Sequence, residues 1–104
     1  MDDNISFSIG QLVTHHLFHY RGVIIDVDPY FMLSEEWYDV MAKSQPAKDQ
    51  PWYHVLVHNA PHQTYVAQRN LTPDLSNEPI NHPNIKEHFS DFAEGKYKLG
   101  QKIH

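Results

Sequence analysis

Tyr20-Arg21-Gly22-Val23-Ile24-Ile25-Asp26-Val27-Asp28-Pro29 and Pro51-Trp52-Tyr53-His54-Val55-Leu56-Val57 are two β-branched and aromatic runs, each bounded by Gly or Pro. Residues of this kind suit a pleated, half-buried surface, so each run reads as a strand of a small sheet. Alternation from Gly22 to Asp28 puts Val23, Ile25 and Val27 on one face and Ile24, Asp26 and Asp28 on the other. Asp28-Pro29 ends that strand, because proline has no N–H to give to a ladder. In the second run Tyr53, Val55 and Val57 share one face, and Trp52, His54 and Leu56 the other. Both of its faces are largely apolar, so a helix or a second copy of the chain must cover the outer one.

Working outward, Ile5-Ser6-Phe7-Ser8-Ile9 alternates apolar and polar residues and reads as a strand closed by a turn at Gly10. Leu12 to Leu17 continues as extended chain, with a turn at Tyr20 to Gly22. Gln63 to Ala67 is a strand joined to Trp52–Val57 by the five-residue hairpin loop 58–62. Between the two opening runs, Ser34 is a candidate N-cap for a short helix, with Glu35 and Glu36 well placed in its first turn. Trp37, Val40 and Met41 form the stripe by which that helix docks on the sheet.

Past Leu71 the prolines at 73, 79 and 83 interrupt regular structure. Pro83 suits the start and Gly95 the left-handed stop of a second helix over 84–93, with Ile85, Phe89 and Phe92 as its apolar face. The chain from Lys96 onward reads as a frayed tail. Five short strands in about 65 residues cannot bury both faces as an open sheet. The expected fold is therefore mainly β: one domain, with a small antiparallel barrel of SH3-like type over about 5–71, an inserted helix, and an extension with a helix over 72–104.

The 104 residues have room for one modest core and are 40% hydrophobic and 12% aromatic, a globular composition. There is no cysteine, so disulfides, zinc–thiolate sites and thiol nucleophiles are excluded, and a reducing, cytoplasmic home fits best. No apolar run is long enough to cross a bilayer. Eight Lys and Arg against thirteen Asp and Glu leave a net charge of -5, which opposes nonspecific grip on a phosphate backbone. Arg21, Lys43, Lys48 and Arg69 are scattered singly, and Lys86, Lys96, Lys98 and Lys102 gather near the C-terminus.

The nine histidines invite a metal site at His15, His16 and His19, or at His54, His58 and His62. Four-residue steps along a strand span about 13 Å, too far for one ion, so these read as surface histidines and no metal is expected. Asp26 and Asp28 would lie about 7 Å apart on one strand face but lack a third group and a cleft, so catalysis is not expected of them. No phosphate-binding loop, dinucleotide fingerprint or nucleophile elbow is present, and neither an enzyme nor a cofactor is expected.

Ile9-Gly10-Gln11-Leu12-Val13, the two opening runs and Thr64-Tyr65-Val66-Ala67-Gln68-Arg69-Asn70-Leu71 follow one another in an order that resembles the HspQ heat-shock family, also called the hemimethylated-DNA-binding or YccV-like family. The resemblance runs from about Phe7 to about Leu71. It implies an SH3-type barrel in a non-enzymatic heat-shock protein. Such a protein promotes degradation of denatured clients by modulating the ATP-dependent protease Lon and assembles as an oligomer. The family's other name implies binding to hemimethylated DNA, and the barrel type implies a peptide-binding module as a further alternative. The residues expected to meet a partner or DNA are Tyr20, Arg21, Trp52, His54, Arg69, Lys86, Lys96 and Lys98. Gln68 departs from the acidic residue many relatives carry there.

Overall fold

A computed structural model describes residues 5–100. Five strands, β1 (Leu12–His15), β2 (Arg21–Asp28), β3 (Trp52–Val57), β4 (Gln63–Ala67) and β5 (Leu71–Pro73), form one antiparallel sheet in the order β4-β3-β2-β1-β5. A 3-10 turn, Gln68–Asn70, links β4 to β5. The two edge strands do not pair with each other, so the sheet stays open and the expected closed barrel is not found. A second sheet is a hairpin of β6 (Asp91–Ala93) and β7 (Lys96–Lys98). The helices are α1 (Glu35–Met41) and α2 (Ile85–His88).

Both opening runs are strands, and they pair directly. Gly22 lies where a Cβ would meet Val55 Cγ1 at 2.4 Å and the Leu56 carbonyl at 2.6 Å, so only glycine lets β2 approach β3 this closely. The ladder shifts register between Ile24, opposite Val55, and Asp26, opposite His54. Ile25 is the extra residue of this bulge, and it reverses the expected alternation. Val23 and Ile25 pack with Leu12 and Leu56, whereas Ile24 and Val27 pack with Tyr53 and Val55 on the opposite face. Asp26 and Asp28 are thereby turned toward His54 and Trp52.

The fifth strand is not the one expected. Residues 5–9 form no ladder: Phe7 is buried, but the Ser6 and Phe7 N–H groups donate to the Tyr53 hydroxyl at 3.2 Å. Thr72-Pro73, read as a break, instead pairs with Thr14 and Val13 as an edge strand, the place a sheet admits proline. The first hairpin turns at 16–18, earlier than expected, and β2 already begins at Arg21.

The larger departure is C-terminal. The expected ten-residue helix is one short turn, α2, after which Phe89 enters an extended conformation. Glu94 (φ 57°) and Gly95 (φ 74°) form the two-residue loop between Ala93 and Lys96. Two consecutive positive φ values make a tight hairpin turn, the other structure that demands a left-handed glycine. What read as a frayed tail is thus β7, and Tyr97 on it is 6% exposed.

This C-terminal unit answers the question of the covered face. Ile80, Phe89 and Tyr97 close over Leu12, Val23 and Leu56. Phe31, Trp37 and Tyr38 close over Trp52, Tyr65 and Ala67. Both faces of β3 are covered within the chain, which removes the reason the sequence offered for a second copy. Ser34 caps α1, its Oγ accepting from Trp37 N at 3.0 Å. The docking stripe is Trp37 and Tyr38, however, and Val40 and Met41 face solvent at 60% and 58% exposed.

Candidate functional site

Each expected contact residue has a definite place. Trp52 is 1% exposed at the centre of an aromatic cluster, where its main role is packing. Arg21 is committed: its Nε donates to Asp74 Oδ2 at 2.6 Å and its Nη2 to the Glu78 carbonyl at 2.5 Å. That ion pair holds the Asp74 carboxyl below the usual carboxylate range, although burial alone would raise it. Tyr20 is half-buried, its hydroxyl 2.7 Å from Thr64 Oγ1. Arg69, Lys86, Lys96 and Lys98 are exposed, with Lys96 Nζ donating to Ser8 Oγ at 3.2 Å. Of the remaining cations, Lys48 is held by Glu35 at 2.7 Å, and Lys102 lies outside the described residues.

Tyr20, Trp52 and His54 share one feature: they line a groove of about 470 Å³. All five residues of β4 form its floor. One wall comes from the first hairpin turn, where Phe18 is 64% exposed beside Leu17; the other comes from α1, through Trp37 and Met41. No carboxylate lines it, and Lys43 is its one fixed charge, on a chain of net charge -5. Arg21, Arg69, Lys86, Lys96 and Lys98 stand outside it. Leu17, Phe18, Trp37 and Met41 were not expected as site residues. Two large apolar residues at a hairpin turn, where polar residues normally sit, are the signal that could have marked them.

At one end of the groove stands a polar cluster. His54 Nε2 lies 3.3 Å from Asp28 Oδ2, and Tyr65 donates its hydroxyl to the same oxygen at 2.7 Å. The Tyr65 phenol is pushed well above its usual range, first by burial and then by the adjacent Asp28 carboxylate. Asp26 completes a set with Asp28 and His54 whose ligand atoms lie within 4.8 Å of one another, able to offer three ligands to one divalent cation. The third group that Asp26 and Asp28 lacked in the sequence is therefore His54, brought opposite by the bulge.

Other histidines serve the backbone. His15 is buried, and its Nδ1 accepts from the N–H groups of Leu17 and Phe18 at 3.1 Å, shaping the turn that carries Phe18. Burial first, then the charges of His16 and His19, lower its pKa to about 4. His82 is also buried, Nε2 donating to the His62 carbonyl and Nδ1 accepting from Asn84 N, both at 3.0 Å. Both correct the reading of the histidines as a surface set. Gln68 accepts from the Tyr53 hydroxyl and from Ser6 N through Oε1, an acceptor role a carboxylate would also fill.

No helix among the described residues is long and apolar enough to cross a membrane. The family model for hemimethylated DNA-binding proteins like YccV matches residues 5–103, nearly the whole length. The four ordered segments, the β-rich fold and that match together place the chain in the YccV-like family.

Proposed function

We propose that this chain is a non-enzymatic heat-shock protein of the cytoplasm that binds denatured proteins and promotes their degradation by the ATP-dependent protease Lon. The observation that carries the reading is the groove. It is apolar, free of carboxylates, and rimmed by Phe18 and Met41, 64% and 58% exposed. Exposed apolar surface lining a concavity is the mark of an interaction site for apolar segments, the feature that unfolding exposes in a client.

Hemimethylated DNA is the second reading, favoured by the family's description and by exposed Lys86, Lys96 and Lys98. Against it stand the net charge of -5 and the internal ion pairs of Arg21 and Lys48. A salt titration against unmethylated, hemimethylated and fully methylated duplexes, with Lon degradation of an unfolded client in parallel, separates the two. Accelerated degradation without methyl-dependent binding is the expected result. Methyl-dependent affinity that survives physiological salt would make DNA the ligand.

A further inference from the structure

The groove floor is not side chains alone. β4 is an edge strand, paired with β3 on one side only. At one end of that ladder Val57 N donates to the His62 carbonyl at 3.3 Å, and at the other Gln68 N donates to the Pro51 carbonyl at 2.9 Å. Antiparallel pairs alternate between hydrogen-bonded and non-hydrogen-bonded. Counting inward from both ends in the observed register, Thr64 and Val66 bond to Val55 and Tyr53. The N–H and C=O groups of Gln63 and Tyr65 and the N–H of Ala67 therefore point away from β3, into the groove, while the Ala67 carbonyl starts the 3-10 turn that follows.

We infer that the groove takes its ligand by strand addition: an extended, uncharged apolar segment pairs antiparallel or parallel with β4 through the main-chain groups of Gln63, Tyr65 and Ala67. Three features of the groove select that occupant. The outward main-chain groups need an extended backbone as partner, because an edge strand's N–H and C=O rows are satisfied only by another strand or by water. Walls stand on both sides of the floor, Phe18 from the hairpin turn and Trp37 from α1. Alternate side chains of an added strand point to opposite faces, so each wall meets every second residue. The charge pattern excludes the competitors. With no carboxylate and one lysine in the lining, the groove selects neither a basic peptide nor a phosphate backbone. Gln63, Tyr65 and Ala67 span four residue steps, about 13 Å, which sets the recognised segment at five to seven residues. The inference rests on the reading of the groove as a client site and names the form in which the client is held.

The test uses the full chain and a fluorescein-labelled seven-residue peptide of alternating Val and Thr. Two further versions carry N-methyl groups on its odd or on its even backbone amides, and binding is followed by anisotropy and by hydrogen exchange. The parent peptide is expected to bind and to slow exchange at the Gln63, Tyr65 and Ala67 amides at least tenfold. One N-methylated set should lose at least tenfold in affinity while the other keeps it, because only one set of amides faces β4. Equal binding of all three peptides, or binding that leaves those three amides exchanging freely, would overturn strand addition while leaving the client reading intact. If none of the peptides binds and an unfolded client is still delivered to Lon, clients are held elsewhere and the inference falls. If neither binding nor accelerated degradation is seen, the client reading falls with it.

Discussion

Tyr65, on the free edge strand, donates its hydroxyl to Asp28 Oδ2 at 2.7 Å and accepts from Met32 N at 3.1 Å, binding β4 to the end of β2 and to the chain entering α1. Buried at 9% exposed, it forms part of the groove floor as well. Tyr65→Phe leaves the Met32 N–H without its partner and removes the shorter of the two contacts to Asp28 Oδ2, for a cost of about 1–3 kcal/mol in urea unfolding. The raised phenol pKa has a defined sign. Stability from the neutral phenol is complete below pH 10, the unfolded value, and is lost progressively as pH rises from there through the higher folded value. Absorbance titration should show a phenol ionising well above the usual tyrosine range, a component that Tyr65→Phe removes.

His15 predicts a loss of stability in acid. Its folded pKa of about 4 lies below the 6.5 of an unfolded imidazole. The unfolded chain therefore binds the proton first, and stability falls as pH drops from about 6.5 to about 4, then levels off for this group. The loss is ~3 kcal/mol at most, and thermal melts across that range measure it. His15→Asn keeps an acceptor for the Leu17 and Phe18 amides and should flatten this part of the profile.

Gly10 predicts how firmly the C-terminal hairpin is held. At φ +93° its N–H donates to Ile24 O and its carbonyl accepts from Tyr97 N, and a Cβ there would lie 2.2 Å from the Tyr97 carbonyl. Gly10→Ala must strain the backbone and displace β7, costing at least ~1 kcal/mol. Tyr97→Ala should cost about 3–5 kcal/mol, because it empties a packed site over Leu12 and Leu56 and removes the hydroxyl contacts to Ile80. A chain in which residues 96–100 were a loose tail would show neither loss in urea unfolding.

The charge distribution predicts weak, salt-sensitive contact with DNA. Arg69, Lys86, Lys96 and Lys98 are the exposed cations among the residues first expected to contact it. If all four reached phosphates together, the slope of log K against log salt would be no steeper than about -4. Duplex titrations from low to physiological salt should reach undetectable binding, with no preference among methylation states.

The strands carrying the strongest patterns were legible because their residues decide locally. Trp52 to Val57 alternates without interruption, and its faces are as expected. In β2 the pattern was sound up to the bulge. One extra residue, Ile25, then inverted every later side chain, and no local preference marks its place. The C-terminal element was misread because Pro83, Gly95 and the spacing of Ile85, Phe89 and Phe92 fit a helix. Pairing with β7 and packing of Tyr97 on Leu12 overrode that local signal. The groove was the least legible part. It joins the turn at Phe18, the helix at Trp37 and the edge at Tyr65, which only tertiary structure brings together.

Degradation of a fluorescent unfolded client by Lon and ATP, with and without this protein, most directly tests the central claim when Phe18→Ser and Met41→Ser are combined. Both side chains are more than half exposed, so the fold should survive their loss, which circular dichroism and the melting temperature would verify. The account predicts that the wild-type chain accelerates degradation and that the folded double variant leaves the rate at its basal value. A double variant that accelerates degradation as well as the wild type would contradict it.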